Sequence, residues 1–135
     1  MHTKSLLVRK TWIYSGIYLF WMSLLVYLSL KPDLRGPGIE IPYFDKLAHM
    51  GFYFVASFLF LISLEKTSLF RLKKNTKVFI TLILHACIGA LIEYIQHYYV
   101  SGRAGEIADF LANLLGVTIA IILYYSRWNY FCKSN

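Results

Sequence analysis

The sequence predicts an all-α membrane protein: one domain, 1–135, built as an up-down bundle of four transmembrane helices with both termini in the cytoplasm. Three observations carry this reading. First, 58% of the 135 residues are hydrophobic and 18% aromatic, with a mean hydropathy of +0.53, which is too apolar for a water-soluble domain of this size. Second, four apolar runs, at about 12–30, 46–64, 78–100 and 106–125, each have the roughly 20 residues that cross a ~30 Å hydrocarbon core as a helix. Third, the basic residues alternate by connection. Lys4, Arg9 and Lys10 precede helix 1, Lys66, Arg71, Lys73, Lys74 and Lys77 lie between helices 2 and 3, and Arg127 and Lys133 follow helix 4. The first connection offsets Lys31, Arg35 and Lys46 with Asp33, Glu40 and Asp45, and the third has only Arg103. The positive-inside rule therefore puts the termini and the second connection in the cytoplasm.

The same distribution bears on partners. A formal charge of +7 suggests nucleic acid at first sight, but the bases are sorted by membrane side and form no stripe. Anionic lipid of the inner leaflet is partner enough, and no nucleic acid is expected. Helix 1 follows a basic stretch, as a secretory signal does, yet it is long and has no small-residue cleavage site, so it reads as a retained anchor. Cys87 and Cys132 fall in helix 3 and the cytoplasmic tail and are expected to be unpaired.

Helix 1 opens with the interfacial Trp12 and Tyr14 and reads as scaffold; Gly16 and Ser23, seven apart, suggest a close neighbour there. The first connection contains Pro32, Pro37 and Pro42 together with Gly36 and Gly38, so it is a shaped outer loop, either a simple connector or a lid. On helix 2, Asp45, His49, Phe52, Tyr53 and Ala56 share a face; Asp45 alone has an ordinary reading as an N-cap. The second connection, with Phe70 and Leu72 among its bases, would rest on inner-leaflet headgroups. Helix 3 sets the depth: Glu93 lies sixteen residues beyond Lys77, about 24 Å up a ~30 Å slab, with Gln96 and His97 at the surface. Its small residues Ala86, Gly89 and Ala90 are expected to bring another backbone close, and the deeper His85 to donate to a neighbouring helix. Helix 4 presents Asp109, Asn113, Gly116 and Ala120 as one stripe running from polar to small. The tight Ser101-Gly102 turn makes helices 3 and 4 antiparallel neighbours, so that Glu93 and Gln96 should face Asp109 and Asn113. Tyr98, Tyr99, Tyr124, Tyr125 and Trp128 would occupy the interfacial belts.

Alternation then gathers Asp45, Lys46, His49, Glu93, Gln96, Arg103, Asp109 and Asn113 at the outer face between helices 2, 3 and 4. Polar groups are costly in hydrocarbon, so this concentration marks a candidate ligand-binding site. Asp45-Lys46-x-x-His49 with Tyr53, then Glu93-x-x-Gln96, Arg103 and Asp109-x-x-x-Asn113-x-x-Gly116, resembles the VanZ-like family of small bacterial membrane proteins. The resemblance spans helices 2 to 4; Ser101-Gly102 stand where a proline often precedes the family arginine. It implies a multi-pass protein of the bacterial cytoplasmic membrane, in a family named for a member associated with teicoplanin resistance, and it makes the same residues the matches to the family motif.

Three functions fit these residues. One is recognition of a lipid-linked envelope precursor or other anionic headgroup, with Arg103 and Lys46 on phosphate and Asp45, Asp109, Asn113 and Gln96 on sugar or peptide groups. Another is a hydrolase or transferase acting on such a lipid, in which Asp45, His49, Glu93, His97 and Asp109 gather around a divalent ion; Asp45, His49, Glu93 and Asp109 are then the catalytic candidates. Their spacing matches no standard ligand motif, so the expectation is no metal and no cofactor. The third is structural, with Arg103 paired to Glu93 or Asp109 to pin the hairpin. A transporter fits less well, because no chain of ionisable residues continues inward beyond His85.

Overall fold

A computed structural model describes the backbone of residues 2–32, 43–66, 72–102 and 105–128, and side chains from residue 12 to 126 within those segments. It has four helices, α1 (His2–Leu30), α2 (Phe44–Lys66), α3 (Lys74–Tyr99) and α4 (Ile107–Leu123), and no strand among the described residues. All four are long and apolar enough to cross a membrane. The last continues into a five-residue π-helical turn, Tyr124–Trp128. Residues 33–42 of the proline-rich connection, residues 67–71 of the segment expected to rest on headgroups, Arg103 and Cys132 lie outside the described residues.

Two helices extend past their apolar runs. α1 begins ten residues before Trp12, and α3 begins at Lys74, four before Val78. Lysine, asparagine and threonine end hydrophobicity without ending helix, because the backbone bonds continue whatever the solvent. Lys77 consequently projects from the first turn of α3 and pairs with Glu65 near the end of α2. Lys74 sets its ammonium 4.5 Å from the ring centre of Tyr125.

The helices alternate in direction. Ser15 of α1 bonds Ser63 of α2 at 2.8 Å, near the beginning of one and the end of the other. The Trp21 indole N–H donates to the Phe52 carbonyl at 3.0 Å midway along the same pair. The core runs down the bundle axis through Tyr18, Met22, Leu25, Tyr53, Ala56, Ile92 and Val117, and a second cluster at the basic end holds Leu61, Ile62 and Tyr124. Trp12, Phe20, Phe79, Leu91, Leu115 and Ile122 point outward. So wide an apolar exterior is stable against lipid tails, not water.

Helices α2 and α4 approach each other backbone to backbone. A methyl group built on Gly116 would stand 2.2 Å from the Met50 carbonyl oxygen, so only hydrogen fits. The other small residues behave differently from expectation. Gly16 has open space around it, and Ser23 is exposed, its hydroxyl bonded to the Leu19 carbonyl of its own helix. Ala90 is exposed, while Gly89 admits the side chains of Tyr53 and Asn113 in place of a backbone. Tyr124 is fully buried against Phe58 and leaves the interfacial belt at the basic end, while Tyr98 and Tyr99 at the opposite end are exposed. His85 makes no interhelical bond through Nδ1, which donates to the Thr81 carbonyl one turn back at 2.8 Å; the rings of Tyr18, Tyr53 and Phe60 surround it.

Candidate functional site

The site forms where α2 and α4 begin and α1 and α3 end. Tyr43, with φ 64°, turns the chain sharply into α2, and its carbonyl accepts the first helical bond from Leu47 N–H. Asp45 therefore lies inside the first turn and is not the cap. Asp45 is 62% exposed in its side chain, whereas His49, one turn deeper on the same face, is 8% exposed. The imidazole Nδ1 meets Asn113 Oδ1 of α4 at 3.0 Å, a bond buried on both sides.

α4 starts at Glu106, which caps the helix without using its own side chain. Its carbonyl accepts from Asp109 and Phe110 N–H, and its carboxylate reaches Lys46 Nζ at 2.9 Å. In a capping box the acid three residues on would take the cap's N–H. Here Glu93 of α3 does so, its Oε2 accepting from Glu106 N–H at 3.2 Å. Asp109 is thereby free to accept from Lys46 Nζ at 3.2 Å. Both carboxylates sit at a helix N-terminus, where the backbone N–H groups favour negative charge. Gly105 makes the junction possible: a methyl there would fall 2.2 Å from the Glu93 carbonyl oxygen.

Six of the eight predicted residues thus come together: Asp45, Lys46, His49, Glu93, Asp109 and Asn113. Gln96 does not join them. Its amide donates to the Ser29 carbonyl at 2.8 Å, tying the ends of α3 and α1. Arg103 lies outside the described residues. His97, a member of the predicted metal set, is exposed and packs edge-on against Tyr98. Glu106 was not among the predicted ligands; its position three residues before Asp109, directly ahead of an apolar run, is the signal of a helix start that could have found it. Among the described residues the site holds four carboxylates, Asp45, Glu93, Glu106 and Asp109, against one ammonium, Lys46.

Below this rim the hydrogen bonding is incomplete. Glu93 Oε1, Asn113 Nδ2 and the Tyr53 hydroxyl are buried and make no hydrogen bond among the described residues. Buried polar groups are seldom left so, since each costs about 1–3 kcal/mol when unsatisfied. On the rim side, Asp45, His49 and Asp109 each offer one ligand atom, and these three atoms lie within 4.8 Å of one another. The arrangement can bind polar groups or a cation from the end at which Asp45 is exposed.

No curated protein and no solved structure gives a match to this chain. A family model does: that of VanZ/LLP1 matches residues 4–129, which takes in α2, α3, α4 and all but the first two residues of α1. The elements that build the polar rim fall within that match, and the chain belongs to the VanZ/LLP1 family of multi-pass membrane proteins.

Proposed function

We propose that this protein recognises the phosphorylated headgroup of a lipid-linked cell-envelope precursor, or a related anionic lipid, from the outer leaflet of the bacterial cytoplasmic membrane. The observation that carries the reading is the convergence of polar atoms from three helices, on Tyr53, Glu93 and Asn113, that find no partner among the described residues, beneath a charged rim at one end of the bundle. Lys66, Lys73, Lys74 and Lys77 gather at the other end, which supports a cytoplasmic placement for that end and an outer placement for the site. Lys46 and Arg103 would meet phosphate, while Asn113 and the carboxylates would hydrogen-bond sugar or peptide groups. Sequestering such a precursor is the property through which the protein would bear on glycopeptide action.

Native mass spectrometry of protein released from its own membranes tests this. Wild type is expected to carry an added mass matching a phosphorylated polyprenyl or similar anionic lipid, and Arg103→Ala and Asp109→Asn to lose it. Wild type that retains only bulk phospholipid would remove the reading.

One observation favours a second, structural reading: Lys46 reaches both Glu106 and Asp109 and so ties α2 to α4. Lys46→Met should then lower the melting temperature in detergent, and adding Asp109→Asn should restore part of the loss, because the buried carboxylate no longer lacks a partner. Equal melting temperatures for wild type and Lys46→Met would dismiss it.

A further inference from the structure

Among the described residues the rim is acidic, four carboxylates against Lys46, and a further cation among those carboxylates would help it hold an anionic headgroup. The imidazole of His49 shows where that cation would sit. Asn113 Oδ1 can only accept, so the 3.0 Å contact places a proton on His49 Nδ1. In the neutral ring the lone pair is then on Nε2, which makes no hydrogen bond among the described residues and stands 3.9 Å from Asp45 Oδ1. A lone pair beside the Asp45 carboxylate is unfavourable electrostatically until a positive charge joins them.

A second, independent feature lies behind the ring. Glu93, with 10% of its side chain exposed, sets its Oε1, which makes no hydrogen bond among the described residues, 3.6 Å from Nδ1. Metal-ligating histidines usually direct their other ring nitrogen at a carboxylate or carbonyl, which fixes the tautomer and raises the basicity of the ligating nitrogen. Asn113 and Glu93 supply both partners here.

We propose that Asp45, His49 and Asp109 bind a divalent ion of intermediate hardness, Mn²⁺ or Zn²⁺, with Asn113 and Glu93 orienting the imidazole. Two carboxylates and one imidazole suit such an ion better than a thiolate-seeking one, and they leave coordination positions for water or a phosphate oxygen. Ligand atoms around one ion stand about 3–4 Å apart, against the 4.8 Å limit seen here, so a small rotation of the exposed Asp45 side chain closes the set. Lys46 shares Asp109 in this structure and would compete with the ion, yet it keeps Glu106 as a partner when displaced. The three ligands come from the starts of two helices that lie side by side, which explains why their spacing along the chain matches no metal motif. That the ion bridges the protein to a phosphate rests on the headgroup reading above; the ion site itself does not.

The test uses the full chain, tag-free, in detergent, stripped with chelator and then titrated with Mn²⁺ by electron paramagnetic resonance. Wild type is expected to bind one ion per chain. Asp109→Asn and His49→Gln should weaken binding at least tenfold, and so should Asp45→Asn, whose exposed position makes folding insensitive to the change. Lys46→Met should tighten binding by removing the competing cation. Glu65→Gln, at the opposite end of the bundle, should bind as wild type does. The absence of saturable binding in folded wild type overturns the proposal, as does equal affinity in folded Asp45→Asn. Native mass spectrometry of the stripped protein separates this from the headgroup reading: a lipid adduct that persists with no ion and no response to Mn²⁺ removes the ion from headgroup recognition and leaves the lipid, while the ion site stands or falls with the titration. An adduct lost on stripping and regained with Mn²⁺ supports both.

Discussion

Gly116→Ala is expected to cost about 3 kcal/mol or more, the upper end of overpacking effects. The added methyl would meet the Met50 carbonyl oxygen at 2.2 Å and the Met50 carbon and Phe54 nitrogen at 3.0 Å. All three are backbone atoms of α2, so no side chain can swing aside and α4 as a whole must move away. The displacement reaches the site, because Met50 directly follows His49 and Gly116 lies one turn beyond Asn113. Thermal unfolding in detergent should show a melting temperature lower by roughly 10 °C. Gly16→Ala is the matched control, since nothing lies within 4 Å of the methyl it would add. Its melting temperature should equal or slightly exceed that of wild type, in keeping with the better helix propensity of alanine. If Gly116→Ala melts with wild type, the α2–α4 contact is looser than described here.

Asn113→Ala removes the acceptor that orients His49 and leaves a buried N–H without a partner, at a cost of about 1–3 kcal/mol. Its larger effect should be on the ion, since losing a partner of a metal-ligating histidine typically weakens affinity by about 10–100-fold. Asn113→Asp keeps an oxygen at the same place and should retain Mn²⁺ binding. Nitrogen-15 NMR of His49 offers a readout that general destabilisation does not move. Wild type should show one tautomer, protonated at Nδ1, Asn113→Ala a mixture, and Asn113→Asp the wild-type state. An unchanged tautomer in the alanine variant would mean that Asn113 does not hold the ring.

Much of the site was legible because helical periodicity and the alternation of spans are both one-dimensional. Asp45 and His49 are four apart and share a face, as do Asp109 and Asn113, and the alternation of spans puts both pairs at one end. Glu93 and Gln96 show where this stops. Three residues turn a helix by about 300°, so the two side chains diverge by about 60°. One reaches α4 and the other α1, and only the packing of the bundle tells which. His97 fails for a similar reason: it is one turn beyond Glu93, yet its ring is exposed and packs against Tyr98.

The sequence by itself determined the membrane class, the four helices, the end at which polar groups collect and most of the residues there, because hydrophobic length and period are local properties. Which small residue admits a backbone was decided only in three dimensions. Gly116 does so and Gly16 does not, because contact depends on what the opposite helix presents at that height. Likewise, the exchange by which Glu93 takes the Glu106 N–H while Lys46 is shared between Glu106 and Asp109 involves three helices at once. Partner choice among several carboxylates depends on distances of a few ångströms between separate helices, and no spacing along one chain encodes them.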